Sequence, residues 1–81
     1  MIKKIEDEKI YYVGFSDGQS DDKTHYMCMY DESEEVTKNW CNEVNKKYGE
    51  CTVMLKLNGK TLNKYREIVI NEIKEILKKH R

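Results

Sequence analysis

The chain reads as one small α+β domain over residues 1–81, with the order β(β)β-α-β-α. The expected architecture is a mainly antiparallel sheet of three or four strands with two helices packed on one face. Three observations predict it. Short runs rich in β-branched and aromatic residues lie in the first thirty positions, an apolar stripe at helical spacing ends at Gly49, and a longer stripe follows Asn58-Gly59. At 81 residues the chain has room for one thin core, with roughly 5,000 Å² of surface left exposed from about 14,000 Å² in the unfolded chain. Hydrophobic residues make up 38% and charged residues 37%, a wet composition whose apolar positions are nonetheless patterned, as in a folded domain.

Ile10 to Phe15 carries the residues that fit a pleated sheet, and Met1 to Ile5 is a candidate partner strand turning at Glu6-Asp7-Glu8. Ser16 to Asp22 has the glycine and short polar side chains of a loop, which would join this strand to the next. His25 to Tyr30 alternates His25/Met27/Met29 with Tyr26/Cys28/Tyr30 and forms the following strand. Asp31 or Ser33 then caps a helix that carries carboxylates in its first turn and runs to about Tyr48. Val36, Trp40, Cys41, Val44 and Tyr48 form its stripe. Cys51 to Leu57 alternates again as a strand with one buried face. From about Lys60 a single long helix is expected, with Leu62, Tyr65, Val69, Ile73, Ile76 and Leu77 facing the core.

With both helices on one face, the sheet's other face is left to water or to a partner. The first strands are apolar on both sides, Tyr11/Val13/Phe15 against Ile10/Tyr12, so a Tyr- and Met-bearing recognition face is one expectation. The bland alternative is that these side chains pack half-buried with their hydroxyls wet.

Charge is the most informative feature for function. The chain is neutral, yet residues 1–35 hold ten acids against four bases and residues 36–81 hold eleven bases against five acids. Such a field steers encounter and partner choice rather than fold. Asp17, Asp21 and Asp22 at one end of the His25–Tyr30 strand, and Asp31, Glu32, Glu34 and Glu35 at the other, frame Tyr26 and Tyr30. These nine residues are the candidate partner-binding set, presenting carboxylates to a basic surface around an aromatic centre. Helix capping and ordinary solvation account for part of the same pattern without a partner.

Other chemistries find less footing. Cys28, Cys41 and Cys51 cannot all pair within the chain, which points to reduced thiols and a cytoplasmic protein. The sequence has no signal-peptide core and no apolar run long enough to span a membrane. His25, Cys28, Cys41 and Cys51 are zinc-type ligands, but His25 and Cys28 point to opposite faces of a strand and the other two belong to apolar sets, so no metal site is assigned. The adjacent acids sit in turns and caps, where carboxylates are solvated; no catalytic residue and no cofactor are assigned.

Tyr12-Val13-Gly14-Phe15-Ser16 resembles, over five residues, the second motif of GIY-YIG nucleases, a tyrosine and a glycine on a strand. No Gly-Ile-Tyr segment precedes it, and no arginine helix with a metal-binding glutamate follows in family order, so no catalytic role is carried over. Phosphate-binding and nucleophile-elbow motifs are missing. Lys46, Lys47, Lys64, Lys74, Lys78, Lys79 and Arg81 offer a basic stripe to nucleic acid, against which stand the overall neutrality and the interspersed Glu67, Glu72 and Glu75.

The expectation is therefore a non-enzymatic interaction module that binds a larger protein or nucleoprotein complex with a basic surface, with a homodimer possible at this core size. In size, charge polarisation and lack of catalytic motifs it is similar to the small inhibitors and regulators of phages and mobile elements, including anti-CRISPR and other anti-defence proteins. A small nucleic-acid- or nucleotide-binding protein is the alternative.

Overall fold

The structure is a computed structural model that describes residues 5–65 and 70–80. Three strands, β1 (Ile10–Ser20), β2 (Lys23–Asp31) and β3 (Thr52–Asn58), form one sheet in the order β2-β1-β3. Helix α1 (Glu34–Tyr48) links β2 to β3, and α2 (Gly59–Tyr65) and α3 (Ile70–Lys79) follow. The α+β class expected from the sequence is present, with every strand pair antiparallel.

β1 is longer than its composition suggests. The stretch from Ser16 to Ser20, expected as loop, continues the ladder, and only Asp21 and Asp22 remain to turn the chain, with Ser20 paired to Lys23. Both aspartates have positive φ, 53° and 62°, as a two-residue turn of the type I′ kind requires, and Asp tolerates that region better than most residues. The small residues that look loop-like serve a different purpose. Gly14, Ser16 and Gly18 line one face of β1, where α1 lies against the strand. A Cβ on Gly14 would sit 2.8 Å from a Trp40 ring carbon, and one on Gly18 only 2.6 Å from Cγ of Tyr48.

The helices occupy opposite faces of the sheet, which corrects the expectation that both pack on one. Residues directly opposed in an antiparallel ladder share a face. The pairs of Phe15 with Cys28 and Val53, and of Val13 with Tyr30 and Leu55, therefore place Tyr11, Val13, Phe15, Tyr26, Tyr30, Val53, Leu55 and Leu57 together. These pack with Ile5, Leu62, Ile73, Ile76 and Leu77 to form the core, so α2 and α3 cover this face. The opposite face belongs to α1, which crosses over β1 as the chain passes from β2 to the parallel β3 beyond it. The physical cause is the central position of β1. A strand flanked on both sides, apolar on one face and small on the other, accepts a helix on each.

α1 is capped as anticipated. Ser33 Oγ accepts from the Val36 N–H at 3.4 Å, and Asp31 Oδ1 accepts from the Ser33 N–H at 2.8 Å. Gly49, at φ 87°, ends the helix with its N–H donated to the Asn45 carbonyl. Its buried line is Thr37, Cys41 and Val44. Val36, expected in the stripe, lies on the rim instead, and Thr37 takes the inner place because its hydroxyl donates to the Tyr12 carbonyl at 2.8 Å. The expected long final helix is described as α2 and α3; Arg66 to Val69, the side chains of Tyr65 and Ile70, and the Met1–Lys4 part of the proposed first strand lie outside the described residues. No described helix is long and apolar enough to cross a membrane.

Candidate interaction surfaces

The topology collects one end of every strand in the same place. β1 begins, β2 ends and α1 starts there, and β3 passes into α2. The segment before β1 is pinned to that end by backbone bonds: the Gly59 N–H donates to the Lys9 carbonyl at 2.8 Å and the Lys60 N–H to the Asp7 carbonyl at 3.2 Å. The Glu6 N–H donates to the Tyr11 hydroxyl at 3.0 Å, and Asn63 Nδ2 donates to Asp7 Oδ1 at 3.3 Å.

The β1–β2 register, with Tyr12 opposite Asp31, sets the Glu6–Glu8 segment at the same end of the fold as Asp31, Glu32, Glu34 and Glu35. Lys9 joins the two groups, with Nζ 2.7 Å from Glu6 Oε2 and 3.2 Å from Glu32 Oε1. Its hydrogen bonds to Glu6 and then to Glu32 hold the ammonium above the ordinary lysine range. Glu34 and Glu35 occupy the first turn of α1, where the helix dipole favours negative charge. The result is an acidic pole. Two of the large apolar residues left exposed belong to this end of the molecule, Ile10 at 45% and Val36 at 44%.

The nine residues singled out from the sequence do not form one surface. Asp31, Glu32, Glu34 and Glu35 belong to the acidic pole, whereas Asp21 and Asp22 form the hairpin turn at the far end of β2, about 26 Å away at the usual strand rise. Asp17 lies half-buried on the α2/α3 face, opposite Tyr26, and its N–H donates to the Cys51 carbonyl at 3.3 Å. Tyr26 and Tyr30 are on that same face and pack against the core. The Tyr30 ring meets Tyr11 edge-on with centroids 5.9 Å apart, and the Lys74 ammonium lies 5.5 Å from the Tyr26 centroid. The open Tyr/Met sheet face is replaced by two faces that each carry a helix.

Glu6, Asp7 and Glu8 were not in the sequence-derived set. Their charge is plain in the sequence, and the signal that places them is the hairpin itself, whose register sets the start of β1 beside the end of β2.

The thiols are separated by the fold. Cys41 and Cys51 are buried on the α1 side, with Cys51 Sγ 3.2 Å from Ser16 Oγ, and burial raises the Cys41 thiol. Cys28 is on the other face of β2 from His25. Desolvation pushes its thiol up to about 11, although the residue keeps surface open to solvent. His25 leans on Tyr48, ring centroids 5.6 Å apart, with Nε2 3.3 Å from Ser20 Oγ. Among the described residues no group of three or more His, Cys, Asp or Glu side chains is arranged to hold a metal ion.

Beside α1 an open groove is floored by Met27 and walled by Trp40, Val44 and Tyr48, with Glu43, Lys46 and Lys47 on its rim. Comparison of the chain with protein-family models, with curated proteins and with solved structures returned no match.

Proposed function

We propose that the protein is a non-enzymatic interaction module, a small regulator or inhibitor that docks its acidic pole on a basic surface of a larger protein or nucleoprotein machine. The observation that carries this reading is the union of two acidic segments at one end of the fold, joined through Lys9, with Ile10 and Val36 exposed at the same end. Carboxylates steer approach and fix orientation, while desolvated apolar contacts supply most of the affinity. The small size and polarised charge suit a small regulator of the kind that phages and mobile elements carry against host defences.

The test is affinity capture from host lysate with the wild-type chain and with a variant in which Glu32, Glu34 and Glu35 are all Gln. Recovery of a defined protein complex by the first and its loss with the second supports the reading. Equal recovery by both removes it. Capture of nucleic acid that is lost on Lys78→Glu and Lys79→Glu would favour the nucleic-acid-binding alternative instead.

A further inference from the structure

We infer that β2 is a self-association edge, and that two copies of the chain pair β2 to β2 in antiparallel fashion about a two-fold axis at Met27, making one continuous sheet. This does not rest on the acidic-pole reading, although Asp31 and Glu32 border both surfaces.

Both outer strands of the sheet, β2 and β3, are edges among the described residues, but they are protected differently. β3 has seven residues and carries Lys56 within the strand, the usual guard against edge pairing. β2 has nine, and from Thr24 to Tyr30 it holds neither Lys, Arg, Asp, Glu nor Pro. Its charges sit only at the ends, as Lys23 and Asp31. A long edge with an uncharged middle invites another strand unless something covers it. The helices lie mainly over the other strands: α1 lies over β1 and extends towards β3 more than β2, α2 packs on β3 and β1, and α3 packs mainly on β1, reaching the face of β2 where Lys74 lies over the Tyr26 ring.

The turn determines which groups β2 presents. With Asp21 and Asp22 as a two-residue turn, Ser20 and Lys23 form a hydrogen-bonded pair, and alternation then directs the backbone N–H and C=O of Lys23, His25, Met27, Met29 and Asp31 towards β1. The Asp17 N–H bond to Cys51 confirms the alternation, because odd-numbered β1 residues then turn to β3. The outward groups are those of Thr24, Tyr26, Cys28 and Tyr30.

Centring the two-fold axis on Met27 matches these outward groups to one another, Thr24 with Tyr30 and Tyr26 with Cys28, each pair occurring twice. The same register sets Lys23 of one copy opposite Asp31 of the other at both ends, on one face. Beyond the strand, Asp22 comes to face Glu32, which Lys9 already neutralises in part. A slip of two residues one way puts Asp31 against Asp21 of the other copy, and a slip the other way leaves Lys23 beyond the strand. Charge therefore selects the centred register as well as the partner.

The test is a cysteine cross-link with a charge swap. In the centred register Met27 meets Met27 as a non-hydrogen-bonded pair with Cα atoms about 4.5 Å apart, within disulfide range. Thr24 lies far from Thr24 of the other copy. On a Cys28→Ser background, Met27→Cys is expected to give a disulfide dimer under mild oxidant, while Thr24→Cys stays monomeric. By sedimentation, Lys23→Asp or Asp31→Lys alone should weaken the dimer about tenfold through two like-charge pairs, and the double swap should restore it. Thermal melts of each variant separate loss of pairing from loss of fold, since Asp31 also caps Ser33. A chain that stays monomeric up to millimolar concentration, equal cross-linking at positions 24 and 27, or a folded double swap that fails to rescue would each overturn the inference.

Discussion

Replacing Gly18 by Ala tests the placement of α1 directly, because the two glycines under that helix are blocked by different kinds of atom. At Gly18 the new methyl group would meet Cγ, Cδ2 and Cβ of Tyr48 at 2.6, 2.8 and 2.9 Å. The Cβ is fixed to the helix backbone, so the end of α1 must lift. At Gly14 the nearest atoms are Trp40 ring carbons at 2.8 and 2.9 Å and Cys41 Sγ at 3.1 Å. Trp40 is only half-buried, and its ring is able to swing outwards. Overpacking costs about 1–3 kcal/mol, and replacing Gly by Ala within a strand returns about 0.5–1 kcal/mol. Gly18→Ala, at the upper end, should therefore lose about 2 kcal/mol and Gly14→Ala about 0.5 kcal/mol. For a domain of this size those losses lower the melting temperature by roughly 10 °C and roughly 3 °C. Far-UV circular dichroism melts read both, and urea titrations give the free energies. Adding Tyr48→Ala to Gly18→Ala removes two of the three close atoms and should recover part of the loss, giving a non-additive cycle. A neutral or stabilising Gly18→Ala, or a larger loss at Gly14, would refute the seating of α1 on β1.

Three further outcomes follow from the same packing. Leu62→Ala should cost about 3 kcal/mol in urea titration, because Leu62 is only 1% exposed and anchors α2 on the face opposite α1. Thr37→Val keeps the shape of a fully buried side chain but leaves the Tyr12 carbonyl without its hydroxyl donor, a loss of about 1–2 kcal/mol by the same measurement. The folded-state thiol of Cys28 is raised from 9.0 to about 11, so the unfolded chain loses that proton first. The contribution of this thiol to stability is therefore fully present below pH 9 and is lost as pH rises towards 11. Cys28→Ser should flatten that part of the pH profile relative to wild type.

The elements were legible in the sequence because each has a local signature. Ser33 with carboxylates behind it marks the start of α1, Gly49 marks its end, and alternation marks β2 and β3. What local patterns could not show is the meaning of small residues. Ser16, Gly18 and Ser20 have the composition of a loop, and only the presence of a helix above β1 turns Gly18 into a strand residue that has to be small. Hydropathy favours Val36 over Thr37 for the inner place, but a buried hydroxyl that finds the Tyr12 carbonyl outranks a methyl group that does not need burial. The candidate surface was legible to the same extent. Asp31 to Glu35 lie together because they adjoin in the chain, and their union with Glu6, Asp7 and Glu8 comes from the β1–β2 register, which sets Tyr12 opposite Asp31, and from the Lys9 bridge.

The position of β1 also limits where a partner can bind. Because β1 is flanked on both edges and covered on both faces, the sheet has spent its broad surfaces on its own helices, α2 and α3 over Phe15 and Val13, α1 over Gly14 and Gly18. What remains for recognition is the periphery. The ends of the strands offer charge, concentrated at the pole around Lys9, and the edge of β2, which no described strand covers, offers outward backbone groups between Lys23 and Asp31. These two surfaces respond to different perturbations. Salt and Glu→Gln substitutions act on the pole, whereas backbone pairing at the edge depends on register and is only tuned by the charges at its ends. A partner complex that dissolves with added salt while the reversible, uncross-linked β2 dimer persists in sedimentation would separate the two.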